Sequence, residues 1–209
     1  MTTESTVYVV DDDAAVRTSL SRLLSSANLA VRAFGSAEEF LADFSPSGPS
    51  CIILDVRMSG MSGLELQKLL AGRRETAPVL LISGHGDIEM AVGAMKDGAF
   101  DFLTKPYNAR GLLEKVQAAL RADETRRAEL ATRSSAKAAL ARLSPREIEV
   151  LEGLTHGESV KQIAARLGLS RKTVDIHRAH VLMKVGVDSV AELVHVVLRA
   201  RRDSTPDSR

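Results

Sequence analysis

The chain has 209 residues, 28 Lys/Arg against 27 Asp/Glu and a formal net charge of +1, a length that suits one domain or two small ones. That near-neutrality hides an asymmetry: residues 1–120 carry 11 Lys/Arg against 15 Asp/Glu (net −4), and residues 121–209 carry 17 against 12 (net +5), so two domains are expected, the second suited to a polyanionic partner. The single cysteine, Cys51, reads as a small buried hydrophobe in a reducing compartment; with no apolar stretch near the ~20 residues that span a bilayer and no basic-then-apolar leader, a membrane protein is excluded and the cytosol is the expected location.

In chain order, five short apolar runs alternate with helix-period segments. The runs cover residues 7–10, 30–34, 51–54, 79–83 and 101–104, and their near-continuous apolar character predicts strands buried on both faces. A parallel, doubly wound α/β sheet follows. Helix starts support these boundaries, since Ser36 with Glu39 and Ser62 with Glu65 stand at capping-box spacing. From residue 112 to 144 there is neither Gly nor Pro, and Asp123/Arg127 and Glu129/Arg133 stand acid-first at i,i+4. A long exposed helix is expected there.

Four short helical patterns follow. Ser144-Pro145 gives an N-cap and first-turn proline, Glu147 completes a capping box, and Leu143 is placed to staple onto Ile148. Ser159 with Gln162 opens the second helix, Gly168 stops it, Ser170 opens the third, and Ser189 with Glu192 the fourth. The three-residue, Gly-containing turn at 168–170 between two short helices is the signature of a helix-turn-helix. The organisation expected is a first domain over 1–121, a helical linker over 122–141, an all-α four-helix domain over 142–202 and a disordered tail over 203–209.

In an open parallel sheet, ligands bind beyond the carboxyl ends of the strands where strand order reverses. Asp11 and Asp12 follow the first run, Asp55 the third, Ser83 ends the fourth and Lys105-Pro106 follows the fifth. Three clustered carboxylates repel unless a hard cation such as Mg²⁺ neutralises them. A metal so held bridges to a phosphoryl oxygen while Lys105 balances a second and Ser83 donates to a third. Each residue alone has a bland reading: in VVDDD, Asp12 or Asp13 simply caps a helix, and Lys-Pro is an ordinary turn. The ordered combination from four strand ends is far more specific.

Those residues, in VVDDD, ILDVRMSGMSG, LISGHGD and FLTKPY, resemble the receiver domain of two-component response regulators over the first 120 residues. The resemblance implies a flavodoxin-like fold with Asp55 as phosphoacceptor, Asp11, Asp12 and Asp55 holding Mg²⁺ (or Mn²⁺) with the backbone carbonyl of Arg57, Ser83 as switch hydroxyl, Phe102 as switch aromatic and Lys105 on the phosphoryl group. It also implies a cis bond before Pro106. Ser59 departs from the pattern, standing where proline is common and leaving the loop after Asp55 less rigid. Ser83 and Tyr107 also stand where threonine and phenylalanine are frequent. The GHGD stretch (84–87) resembles the FixJ-like branch; His85 is either a solvated loop residue or, with Arg57, flanks the path of water to the aspartyl phosphate.

Residues 143–199 resemble the LuxR/NarL/FixJ-type helix-turn-helix, through LSPREIEVL, SVKQIAARLGLSRKTVDIHRAHVLMKV and SVAELVHVVL. Arg171, Lys172 and Thr173 open the third helix, where free amides already favour phosphate, and Arg178 and Lys184 extend the basic set. Val174, His177, Val181 and Val185 recur at core spacing, while Asp175, Ile176 and Ala179 match the family's base-facing positions. Asp175 is either a cytosine N4 acceptor or an ordinary exposed acid. The last helix, with Leu193, Val194, Val196, Val197 and Leu198, has more apolar surface than one scaffold face requires; in the family it pairs two DNA-binding domains, which places recognition helices about one DNA turn apart.

The function expected is a response regulator phosphorylated on Asp55 by a sensor histidine kinase, dimerising on the face where Val92, Lys96 and Asp101 match the dimer positions of the FixJ-like branch it resembles, and binding promoter DNA to regulate RNA polymerase. A non-enzyme is expected. Two rivals remain: a phosphate-independent DNA-binding protein with an inert receiver, and a Mg²⁺-dependent phosphohydrolase, which a receiver segment without a lid insertion disfavours.

Overall fold

A computed structural model describes residues 5–72, 77–84 and 88–201; His85 and the tail at 203–209 lie outside them. The chain divides into two compact units between Arg127 and Ala128.

In the first unit, five parallel strands, β1 (Thr6–Val10), β2 (Ala30–Phe34), β3 (Ser50–Asp55), β4 (Val79–Ser83) and β5 (Asp101–Thr104), stand in the order β2-β1-β3-β4-β5. Every residue of β3 and β4 is buried, as unbroken apolar runs require of central strands. Side chains alternate between two cores. Tyr8, Val10, Ile52, Leu54 and Leu81 pack with α2 (Ala37–Asp43), α3 (Gly63–Gly72) and Ala94 of α4 (Ile88–Lys96). Val7, Val9, Cys51, Ile53, Leu80 and Ile82 face α1 (Ala14–Ser26) and the first turns of α5 (Ala109–Leu140). Helices therefore cover both faces, and the order reverses between β1 and β3, which sets their carboxyl ends side by side.

Local chemistry fixes the helix starts. The Ser62/Glu65 pair forms in both directions, Glu65 N–H to Ser62 Oγ at 3.3 Å and Ser62 N–H to Glu65 Oε2 at 2.9 Å. Ser36 accepts from Glu39 N–H at 3.1 Å, but the Glu39 carboxylate reaches one residue further back, to Gly35 N–H at 2.7 Å. Gly63 is dictated by close approach: a Cβ there would lie 2.1 Å from the Asp55 carbonyl oxygen. Its absence lets α3 begin directly beside the end of β3.

Helix is found where a helical linker was expected at 122–141, as the second half of α5, which runs unbroken for 32 residues. Asp123 is not exposed as expected. Its carboxylate is fully buried, accepting from Ser50 N–H at 2.8 Å and Arg127 Nε at 2.7 Å and pairing with Arg126.

The second unit contains α6 (Pro145–Thr155), α7 (Val160–Leu167), α8 (Arg171–Val185) and α9 (Val190–Arg201). Ser144/Glu147 and Ser159/Gln162 form complete capping boxes. Gly168 ends α7 with φ +67°, a left-handed conformation that costs a glycine little, and Ser170 caps α8. Leu143, Val150, Ile163, Val174, Val181, Leu193 and Val197 share one core. Ile148, expected to staple onto Leu143, is 41% exposed and lies outside that core. No helix among the described residues is long and apolar enough to cross a membrane.

Candidate functional site

Asp11 directly follows β1, Asp55 ends β3, and Lys105 directly follows β5. Parallel pairing brings all three to one edge. Lys105 Nζ donates to Asp11 Oδ2 at 2.9 Å and to Asp55 Oδ1 at 2.7 Å, while both carboxylates are buried. Asp11 Oδ1 also accepts from Asp13 N–H at 2.9 Å, and Asp55 Oδ2 from Arg57 N–H at 2.8 Å. Asp13 caps α1, accepting from Ala15 N–H at 2.8 Å. The capping role in the acidic triplet thus falls to Asp13, while Asp11 stands at the carboxyl edge of the sheet beside Lys105.

Asp12 is placed differently. Its Oδ2 accepts from both Ser59 N–H at 2.8 Å and Ser59 Oγ at 2.9 Å, so it binds the loop after β3 rather than Lys105. Ser83 is buried at the end of β4, and its carbonyl accepts Lys105 N–H at 2.7 Å. The Lys105–Pro106 bond is cis. Phe102 is half-buried against the core on the α3 and α4 side.

The charges respond to these contacts. Burial pushes the Asp55 carboxyl above the usual aspartate range, against the opposing pull of the Lys105 hydrogen bond. Burial works against the Lys105 ammonium too, but its bonds to Asp55 and Asp11 outweigh that and raise its pKa. The Asp55 carboxylate is thus costly to ionise and depends on the firmly protonated ammonium beside it. Asp12 is held below the usual range, first by the Ser59 N–H and then by its hydroxyl.

In the second unit, Arg171, Lys172, Asp175, Ile176 and Ala179 are exposed on α8, and Thr173 and Arg178 half-buried. Val174 and Val181 face the core, as their spacing requires. Lys184 Nζ donates to Glu147 Oε2 at 2.6 Å and is thus engaged within the unit. Of the three expected dimer positions, Val92 and Lys96 are exposed on α4, whereas the Asp101 carboxylate pairs with Lys115.

Residues 7–117 match the family described as response regulator receiver domain, and residues 141–197 match bacterial regulatory proteins of the luxR family. The chain is 46% identical over 200 residues to the transcriptional regulatory protein TdiR of Thauera aromatica, covering 93% of this chain and 86% of that one. To FixJ of Bradyrhizobium diazoefficiens it is 42% identical over 200 residues, covering 96% and 98%. The chain belongs to the NarL/FixJ family of response regulators. Among solved structures, the response regulator StyR superposes with a TM-score of 0.88 at 41% identity, covering 94% of this chain and 99% of that one.

Receiver domains of this family use Mg²⁺ for phosphorylation. The donor chemistry at this edge fits such an ion: Asp11 and Asp55 already converge on one cation, the Lys105 ammonium, and carboxylate and carbonyl oxygens suit a hard divalent metal. Among the described residues no three His, Cys, Asp or Glu side chains are grouped closely enough to hold a metal, and Asp12 bonds to Ser59. Ser59, read in the sequence only as a loss of rigidity, thus has a specific partner. Its two donors and the carboxylate lie 47 residues apart, beyond any local pattern.

Proposed function

We propose that Asp55 is the phosphoacceptor of a two-component system, taking a phosphoryl group from a sensor histidine kinase and controlling promoter binding by the helix-turn-helix unit. The observation that carries this is the Lys105 bridge between Asp11 and Asp55. A buried carboxylate with an ammonium at 2.7 Å has a counter-charge ready for a phosphoryl oxygen, and the second carboxylate, Asp11, shares that ammonium.

Asp11, Asp12, Asp55 and the Arg57 carbonyl would hold Mg²⁺ (or Mn²⁺), which when bound neutralises the phosphoryl oxygens during transfer. Asp55 attacks phosphorus through a carboxylate oxygen; the donor's leaving group departs, and Lys105 turns from carboxylate to phosphoryl oxygen. Ser83 donates to another phosphoryl oxygen, and Phe102 repacks towards the space Ser83 vacates. Phosphorylation acts only if those contacts differ between two populated conformations of the receiver.

On α8, Arg171, Lys172, Thr173 and Arg178 contact phosphates, and Asp175, Ile176 and Ala179 face base edges. Lys184 adds to the phosphate set from its place beside Glu147. Val92, Lys96 and Asp101 form the receiver's dimer face. The functional segments are the receiver at 1–121, the linker at 122–141, the DNA-binding domain at 142–202 and a tail at 203–209. RNA polymerase is the downstream partner, and the protein works in the cytoplasm without turning over a substrate.

The test is labelling by acetyl phosphate with and without Mg²⁺. Wild type takes up one metal-dependent, alkali-labile phosphoryl group, and Asp55→Asn takes up none. Stable labelling of Asp55→Asn refutes the assignment; repeated release of phosphate from acetyl phosphate at enzymatic rates makes the protein a phosphohydrolase.

A further inference from the structure

Ser59 stands in the loop between β3 and α3, exposed, and gives Asp12 Oδ2 both of the donors it possesses, N–H at 2.8 Å and Oγ at 2.9 Å. The bond joins the loop after β1 to the loop after β3, the two strand ends where the site is built. On the other side of the same edge, Lys105 fills the position of a cation between Asp11 and Asp55. All three acidic residues are thus satisfied by the protein itself, and they are satisfied in two separate places.

We infer that Ser59 is a positioning residue that latches Asp12 away from the metal site, so that Mg²⁺ must displace the Ser59–Asp12 contact in order to bind. The inference rests on the proposed role of Asp12 as a metal ligand.

The chemistry gives the latch its direction. Ser59 and a hard cation both draw on the carboxylate of Asp12, and an oxygen that already accepts two hydrogen bonds is a poorer ligand than one facing water. Loss of the latch on metal binding also releases the loop bearing Arg57 from the β1–α1 loop. Metal occupancy thereby becomes coupled to the mobility of the segment that carries the proposed carbonyl ligand. Proline, the residue common at this point of the motif, has neither donor, since its ring removes the N–H. The latch is therefore a property of having serine here.

The probe is MgCl2 alone, titrated into the full-length chain and read by calorimetry and by backbone amide shifts, with no phosphodonor present. Ser59→Ala removes the hydroxyl and keeps the N–H; it is expected to bind Mg²⁺ about 3- to 10-fold more tightly, within the net range of one typical hydrogen bond, the contact being exposed. Ser59→Pro removes both donors and is expected to tighten binding further, while Ser59→Thr, which keeps both, stays near wild type. In an Asp12→Asn background, itself weakened in Mg²⁺ binding, Ser59→Ala is expected to change nothing. Unchanged thermal unfolding of Ser59→Ala without metal separates the effect from altered folding. If Asp12→Asn loses affinity while Ser59→Ala and Ser59→Pro bind like wild type or more weakly, the latch is wrong and Asp12 remains a ligand. If Asp12→Asn binds Mg²⁺ like wild type, the ligand assignment fails and the latch falls with it.

Discussion

Glu147 closes the capping box of α6 and, through the same Oε2, accepts Ser144 N–H at 2.8 Å and the Lys184 ammonium of α8 at 2.6 Å. His180 Nδ1 stands 3.8 Å from its other oxygen. The Lys184 hydrogen bond, helped by Ser144, lowers its pKa from the ordinary glutamate range to about 2. A depressed carboxyl pKa contributes stability that is complete above the unfolded value and disappears as pH falls through the folded one. The window is therefore from roughly pH 4.5 down to about 2. Glu147→Gln is expected to lower the urea midpoint of the DNA-binding unit at pH 7, with the gap to wild type closing through that window. A gap that stays constant from pH 7 to 2.5 would mean that the carboxylate charge contributes nothing. Sequence reading found the box, because Ser144 and Glu147 are three residues apart, but not the contact with Lys184. The 37 residues between Glu147 and Lys184 carry no periodicity that announces the pair.

At the scale of elements, most of the architecture was legible because its causes are local. Apolar runs gave all five strands to within a residue at each end, Ser at the right offset gave the starts of α6, α7 and α8, and Gly168 gave the stop of α7. The same logic placed Asp11, Asp55 and Lys105 at one edge, since strand ends in a parallel sheet share a side. It failed where a local pattern has two tertiary meanings. Asp123 and Arg127 at i,i+4 look alike whether they face water or the protein. In the structure Asp123 is buried and ties α5 to Ser50 at the start of β3, in the turn of helix that follows the core residues Leu112, Val116, Ala119 and Leu120. This carboxylate fixes the last turn of α5 that belongs to the receiver. Asp123→Ala leaves the Ser50 N–H buried without its acceptor and two arginines without their counter-charge. The expected loss is about 2–3 kcal/mol, below the ~3–5 for fully buried pairs, because Arg126 and Arg127 remain 33% and 29% exposed. Chemical denaturation followed in the receiver transition measures it; an unchanged midpoint would show that solvent replaces the network at no cost.

For the whole molecule, an acidic receiver and a basic DNA reader share one chain, with net charges of −4 over residues 1–120 and +5 over 121–209. The proposed function requires that phosphorylation at Asp55 alter DNA affinity at α8. Direct contact is not needed if phosphorylation pairs two receivers, because two readers then share a tether. The second half-site is bound at an effective concentration set by the linker, in the mM range for short tethers. The exposed face of α4 suits such pairing: Ile88, Val92 and Met95 are 83%, 47% and 46% exposed, with Lys96 beside them at the helix end. An apolar stripe flanked by a charge favours a specific, reversible contact, and the charge decides register more than affinity. Lys96→Glu should therefore separate the steps. The variant is still labelled by acetyl phosphate at Asp55 at the wild-type rate, since Lys96 lies away from the carboxyl edge. Once labelled, it stays monomeric by light scattering and binds an operator with two half-sites roughly 10- to 100-fold more weakly than labelled wild type, while a single half-site is bound equally by both. Dimerisation and tight operator binding by the labelled variant would move the interface off α4 and leave unmasking of α8 within each monomer as the means of activation.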